Sequence, residues 1–324
     1  MIDISVIIPI FNTAPYLERC INSLFHQTTT DNIEYIFIND ASTDNSSEII
    51  HKLISNYPDL SSQIKVIEHN TNKGILFTRN EGVSIAKGEY IIQIDSDDWI
   101  ESNMFELMRQ KANETNADII GCDLFEEYPT ASKYVSIPFD LPHDQLIKEL
   151  ITAEKVKSYL PIRMIRREHY LHHGMATPEG ISLYEDRCIC LPLHYYSKKT
   201  AHLPFALYHY RQTTTSLTKK ITLDSFQSAW RSIQFMIDFL HRVSKYNLYR
   251  PQIESAKSNV AIWLIFRTDI YHPEIWNQIR SSLDISSLPI YKKVSITLVD
   301  KGYHRLNRIY VRSLRLIYNL FRII

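Results

Sequence analysis

The chain has 324 residues, 44% hydrophobic and 22% charged, with Lys+Arg and Asp+Glu balanced at 36 each. That length builds one large core with an appendage, or two modest domains, and the balance excludes a polyanion binder that works by net charge. The absence of any run of about 18 apolar residues excludes a spanning helix, and the absence of G-x-G-x-x-G and G-x-x-x-x-G-K-[ST] removes the usual dinucleotide and P-loop fingerprints.

The first 125 residues alternate apolar runs with amphipathic stretches. "ISVIIPI" (4–10) reads as a buried strand. A helix is expected over 15–27, with Leu17, Cys20, Ile21, Leu24 and Phe25 on one face. Strands follow at 34–40, 64–69, 88–95 and 118–125, and helices at 45–56, 75–87 and 102–115. Asn45 and Glu48 are spaced as a capping box for the second helix. This β-α-β-α rhythm predicts an α/β fold with a mainly parallel central sheet covered on both faces.

Residues 126–158 are less regular, with a helix expected near 143–157. A strand or turn and a short helix are expected within 159–174, a helix within 182–200, a strand at 201–212 and a polar loop at 213–216. From about 222 the pattern changes to helices near 223–246, 250–271 and 273–283. The expected organisation is a domain over 1–221 and a helical extension over 222–324 that ends in a basic amphipathic helix.

Four cysteines, Cys20, Cys122, Cys188 and Cys190, are scattered, and Cys188-x-Cys190 lacks zinc spacing. The start, "MIDISVIIPIF", carries an acid where a signal peptide carries a basic n-region. Free, buried thiols in a reducing cytoplasm are therefore expected.

In parallel sheets the ligand sits outside the carboxyl ends of the strands. Phe11 and Asn12 follow the first strand, Asn39, Asp40 and then Asp44 the second, and Asp95, Ser96, Asp97 and Asp98 the fourth. Three strand exits thus present polar or acidic groups to one rim. A solvated turn with a helix cap accounts for one aspartate of 95–98 but not three, because like charges this close repel. Mg²⁺ or Mn²⁺ relieves that repulsion, commonly with one or two carboxylates and substrate phosphates. A strand ending in D-x-D points both carboxylates the same way. Asp40 also fits a turn residue, and Asp44 a helix cap.

Four segments, "SVIIPIFNTAPYLERCINSLFHQT", "IEYIFINDASTDNSSEII", "NKGILFTRNEGVSIAKGEYIIQIDSDDWI" and "YEDRCICLPLHYYSKK", resemble the family 2 glycosyltransferases of GT-A fold. The likeness is strong over 3–125 and looser over 159–217. It implies that Asp97 is the more direct metal ligand and that Asp95 faces the ribose or the metal's water shell. It implies that Asp40 accepts a hydrogen bond from the base N3–H, favouring uracil, and that Pro9 and Phe11 line the base pocket. Arg79 matches the family's basic residue that contacts nucleotide or diphosphate; a surface ion pair is its other reading.

"YED" at 184–186 matches the family's acidic pair. The resemblance makes Asp186 the general base, with Glu185 orienting it or the acceptor; an acidic pair in a first helical turn is the plainer alternative. "YHYRQTTTSLT" (208–218) resembles the segment that folds over the diphosphate, with Arg211 on phosphate and Ser216 donating a hydroxyl. His209 is either a third metal ligand or a packed side chain. Pro161, Ile162 and Arg163 stand where many relatives carry a Trp-Asn-Lys-like cluster, with Arg163 as a replacement charge.

The ending "KGYHRLNRIYVRSLRLIYNLFRII" contains no acid, and Arg305, Arg308, Arg312, Arg315 and Arg322 form one helical stripe. Such a helix lies on an anionic membrane surface or docks on its neighbours; no nucleic-acid-binding fold accompanies it. The function expected is a metal-dependent, inverting glycosyltransferase using a UDP-sugar donor and a glycan or lipid-linked glycan acceptor. The alternatives are a non-catalytic assembly protein of the same fold and a sugar nucleotidyltransferase, whose usual glycine-rich loop is missing after Ile10.

Overall fold

The computed structural model describes residues 2–175, 181, 184–212, 222–266, 273–286 and 288–321. They fall into two compact units, Met1–Lys219 and Lys220–Ile324.

The first unit is a mixed α/β fold around one nine-stranded sheet of order β3-β2-β1-β4-β8-β6-β9-β5, with β7 added beside β6. The strands are β1 (Ile4–Ile10), β2 (Ile33–Asn39), β3 (Ile64–Glu68), β4 (Tyr90–Gln93), β5 (Trp99–Ile100), β6 (Ile119–Tyr128), β7 (Ala131–Val135), β8 (Arg163–Arg166) and β9 (Thr200–Arg211). β3, β2, β1 and β4 pair in parallel. Beyond β4 the sheet is mixed: β8 runs antiparallel to both β4 and β6, β7 is antiparallel to β6, and β6 and β9 are parallel. All seven residues of β1 and of β2 are buried, as continuous apolar strands covered on two faces must be.

Helices α1 (Ala14–Phe25), α2 (Ser46–Ser55), α3 (Ile75–Ile85) and α4 (Met104–Thr115) connect the first strands. α1 buries Leu17, Cys20, Ile21, Leu24 and Phe25, the face expected from their spacing. The capping box expected at Asn45 does not form. Asp44 takes its place: one carboxylate oxygen accepts the Ser46 N–H and the other the Ala14 N–H, each at 3.0 Å, so the residue ties α2 to the start of α1. α5 (His143–Thr152) stops short of the expected 157 because Ala153 turns left-handed at φ 54°. α6 (Arg167–His173) and α7 (Glu185–Tyr196) complete the unit. All four cysteines are free and buried.

The second unit holds α8 (Leu223–Arg242), α9 (Tyr246–Phe266), α10 (Pro273–Ser282), α11 (Ile290–Asp300) and α12 (His304–Phe321). A Thr222–Ser225 capping box starts α8. α12 packs on α11 through Asn307 and Val311, and Ser295 Oγ donates to Asn307 Oδ1 at 2.6 Å. Ile290 and Tyr291 on α11 and Leu306 and Ile309 on α12 stay exposed, as do Arg305, Arg308 and Arg312. No described helix is long and apolar enough to cross a membrane.

Candidate active site

The exits of β1, β2 and β4 meet α7 around a cavity of about 800 Å³. Its lining includes Pro9, Phe11, Asp40, Arg79, Asp95, Asp97, Glu185 and Asp186. Four non-glycine residues with left-handed backbone line the cavity or stand at its rim: Asn12 (φ 53°), Ala41 (φ 58°), Ala153 (φ 54°) and Tyr184 (φ 67°). Such positions persist only where the surroundings over-determine them, and they cluster at functional sites. Asn12 is held by its own side chain, whose Oδ1 accepts the Thr43 N–H at 2.8 Å.

Asp40 is buried at the end of β2. Burial alone would raise its pKa, but hydrogen bonds from His69 and from the N–H groups of Lys73 and Gly74 outweigh it and the carboxyl is lowered. Gly74 turns at φ 86°, a conformation open to glycine, to bring its N–H within 2.8 Å of Asp40 Oδ2. His69 Nδ1 sits 2.7 Å from Asp40 and Nε2 2.6 Å from Glu81, so the imidazole spans two carboxylates. This bridge is not apparent from sequence; the one signal is that His69 directly follows β3 on the strand-exit rim.

The three aspartates after β4 are used differently. Asp98 is buried, accepts the Tyr208 hydroxyl at 2.5 Å and the Arg211 N–H at 2.7 Å, and so fastens β9 under the turn. Burial, with the charges of Asp97 and Asp95, raises its pKa well above the usual carboxylate range. Asp95 accepts Arg79 Nη2 at 2.9 Å. Asp97 has no ion pair or side-chain hydrogen bond from another described residue, and burial, then Asp95, pushes its pKa up to about 6. A half-buried carboxylate without a partner, facing the cavity beside a second one, fits a divalent cation. No cluster of three or more His, Cys, Asp or Glu side chains is grouped for a metal among the described residues.

Arg79 lies on α3 with its guanidinium 3% exposed. Nη1 reaches Asp186 at 2.8 Å and Glu185 at 3.1 Å, while Nη2 holds Asp95. Burial opposes its charge, yet Asp186, Asp95 and Glu185 together raise its pKa well above the ordinary value. It is thus a buried cation at the centre of three carboxylates rather than a surface ion pair. Asp186 also accepts the Leu160 N–H at 3.1 Å. Burial raises the pKa of Asp186 against the pull of Arg79, and burial, then Asp186, pushes Glu185 up to about 7.

The other expected residues are placed as follows. Arg211 Nε donates to the Asp97 carbonyl at 2.8 Å, and its guanidinium lies over Trp99 and Tyr16 at 4.7 and 4.9 Å. Ser216 falls outside the described residues. His209 is packed: it stacks on Trp99 and Phe125, and its ring nitrogens engage Glu127 and Glu101 at 2.7 and 2.8 Å. Arg163 is set back from the cavity lining, but its positive charge still lowers the pKa of Asp186. It is buried, and its Nη groups donate to the carbonyls of Tyr159 and Lys157, bracing the loop before β8.

Comparison with known proteins bears on the family and the fold. The model of glycosyl transferase family 2 matches residues 5–171. The provisionally named glycosyltransferase EpsH of Bacillus subtilis (strain 168) is 30% identical over 259 residues, covering 78% of this chain and 73% of EpsH. Among solved structures, S. aureus TarS 1-349 in complex with UDP-GlcNAc superposes with a TM-score of 0.61 at 17% identity, over 97% of this chain and 92% of that one. The mannosyltransferase PcManGT of Pyrobaculum calidifontis, in complex with GDP-Man and Mn²⁺, gives 0.51 at 13% identity over 97% and 86%. These likenesses show the GT-A fold.

Proposed function

The chain belongs to glycosyl transferase family 2, and from that premise we propose an inverting, metal-dependent transfer of a sugar from a UDP-linked donor to a hydroxyl of a glycan or lipid-linked glycan. The observation that carries the proposal is the meeting of Asp40, Asp97 and Asp186 in one cavity. Asp40, held ionised by three N–H donors, keeps acceptor capacity for the N3–H of a uracil, between Pro9 and the exposed Phe11 ring. The UDP-GlcNAc bound by the similarly folded TarS supports that choice of donor.

Mg²⁺ or Mn²⁺ held by Asp97, with Asp95, would neutralise charge on the donor diphosphate. The chain's own groups do the rest. The acceptor oxygen attacks the anomeric carbon as the bond to the diphosphate oxygen breaks, and the electron pair of that bond leaves on the diphosphate. The acceptor proton passes to Asp186, whose raised pKa makes it a stronger base than an ordinary aspartate. Attack from the face opposite the leaving group inverts the centre. Arg79 and Leu160 N–H hold the Asp186 carboxylate in place, and Glu185 shares the same guanidinium. Mn²⁺-dependent turnover of a UDP-sugar panel tests the proposal: Asp97→Ala and Asp186→Asn should abolish it while substitutions on the outer surface do not. A wild type that neither binds UDP nor turns over any UDP-sugar favours the non-catalytic alternative.

The exposed apolar residues of α11 and α12, beside Arg305, Arg308 and Arg312, support peripheral contact with an anionic membrane on the cytoplasmic side, where a lipid-linked acceptor would lie. Removal of residues 301–324 should abolish sedimentation with phosphatidylglycerol vesicles and leave UDP binding intact; equal sedimentation refutes the contact.

A further inference from the structure

The cavity continues past Asp186 to a wall made by Lys157, Tyr159, Arg187 and Tyr210. None of these is used by the donor or the proton transfer. Arg187 lies in the first turn of α7 with its guanidinium 5.0 Å from the Tyr184 ring centroid. Among the described residues it has no hydrogen-bond acceptor and no carboxylate within ion-pair distance. An aromatic face attracts the cation, but it does not satisfy a fork of five N–H donors. Lys157 sits on the loop after α5 and donates to the Ala153 carbonyl, again with no ion-pair partner among the described residues. Burial lowers the pKa of Lys157 and the positive charge of Arg187 lowers it further, against the smaller opposing pull of Glu126, Glu154 and Glu149, so the two cations feel one another. Glu126 faces the same cavity, but it is engaged by Lys133 at 3.3 Å and by the Tyr128 hydroxyl at 3.0 Å. The loop that carries Lys157 and Tyr159 is not slack, because the buried Arg163 holds both carbonyls.

Two half-buried cations with no carboxylate in direct contact among the described residues are costly for the protein alone. The cost falls when an anion arrives between them, and a guanidinium takes phosphate or carboxylate oxygens in pairs. The rings of Tyr159 and Tyr210, 5.3 Å apart, supply flat apolar surface next to the same groups. Asp186 stands at the boundary between this wall and the donor half, where the hydroxyl to be deprotonated must lie.

We propose that this end of the cavity is an acceptor subsite for a glycan bearing an anionic group, phosphate or carboxylate, close to the attacked hydroxyl, with Arg187 and Lys157 binding the anion and Tyr159 and Tyr210 facing the sugar ring. The inference rests on the donor assignment above and narrows the acceptor class.

Calorimetric titration of the full chain, saturated with UDP and Mn²⁺ so that the donor's phosphate positions are filled, separates the possibilities. The probes are glucose, glucose 6-phosphate and glucuronate. At least one anionic sugar should bind about tenfold or more tightly than glucose, and which one does so tells phosphate from carboxylate. Arg187→Gln and Lys157→Gln should each shrink the preference and together remove it, Arg187→Lys should retain part of it, and UDP affinity should stay level throughout. Equal binding of the three sugars, binding of none at millimolar concentration, or a preference that survives the double substitution overturns the subsite. So does a fall in UDP affinity in Arg187→Gln, which would move that arginine to the donor. Failure of UDP to bind wild type, read in the first titration, overturns the donor assignment and this subsite together.

Discussion

Asp95 and Asp186, 91 positions apart in sequence on the exit of β4 and the first turn of α7, hydrogen-bond one guanidinium, Arg79, at 2.9 and 2.8 Å. The turn after β4 and the start of α7 are therefore mechanically one piece. Neither carboxylate can shift far without losing its share of a cation that is itself buried.

Replacing Arg79 by Gln should remove activity and stability together. Asp95, Glu185 and Asp186 would then face one another without a counter-charge, and breaking a buried ion pair from one side costs about 3–5 kcal/mol. Urea midpoints should fall accordingly. Arg79→Lys keeps the charge but cannot serve three carboxylates as a planar fork does, so its stability loss should be smaller while turnover stays severely impaired. A Lys variant with wild-type turnover would show that the shared geometry is unimportant.

Cation affinity should weaken in acid. Asp97 titrates at about 6, raised by burial and by Asp95. A metal ligand must be deprotonated, so protons compete with the ion below that value and cease to compete above it. Mn²⁺ affinity, followed by water-proton relaxation, should be nearly level above pH 6 and fall by up to about tenfold per pH unit beneath it. In Asp97→Ala the residual affinity should be low at every pH. An unchanged affinity in that variant would place the ion elsewhere.

Most of the cavity's strand-exit rim was legible from residues alone, because apolar runs and the polar residues that end them are local. Apolar runs locate strands, parallel sheets bind at their carboxyl ends, and that places Asp40, Asp95 and Asp97 at one rim; the separate roles proposed for them needed the family resemblance. Glu185 and Asp186 needed the family resemblance, since an acidic pair opening a helix has an ordinary explanation. What escaped has a common physical origin: it depends on pairs distant in sequence. The tie from Arg79 to Glu185 and Asp186 spans more than 100 positions. Arg163, expected as a replacement charge, turns its fork inward to brace carbonyls only a few residues away and reaches Asp186 through its charge alone. The mixed half of the sheet was hidden for a similar reason, because β8 inserts between β4 and β6 from far along the chain.

His69 positions Asp40 and should be felt in donor binding more than in chemistry. Its imidazole fixes one carboxylate oxygen of Asp40 at 2.7 Å and is anchored in turn by Glu81 at 2.6 Å. In His69→Ala, Asp40 would keep its two backbone donors but lose the buttress at its side. Loss of a hydrogen bond to a charged group is worth about 1.5–3 kcal/mol, so UDP affinity should fall by roughly one to two orders of magnitude. The donor KM should rise with kcat little changed, since on the proposed assignment the base end of the donor would make the same contacts in ground and transition states. A drop confined to kcat would instead place His69 near the reacting atoms.

Glu185 should leave a signature in how stability depends on pH. Its folded-state pKa is about 7 against an ordinary 4.5, raised by burial first and by Asp186 next. The folded protein therefore holds this proton where the unfolded chain has released it. Its contribution is complete below 4.5, declines as pH rises through the interval, and is gone above 7. Glu185→Gln carries no titrating group, so the stability of wild type relative to the variant should fall steadily across that window and then level off. Urea unfolding of both proteins in metal-free buffer, over the window and above it, measures the difference. A gap that stays flat would mean that Arg79 keeps Glu185 ionised throughout, and that Glu185 and Asp186 carry two negative charges rather than sharing a proton near neutrality.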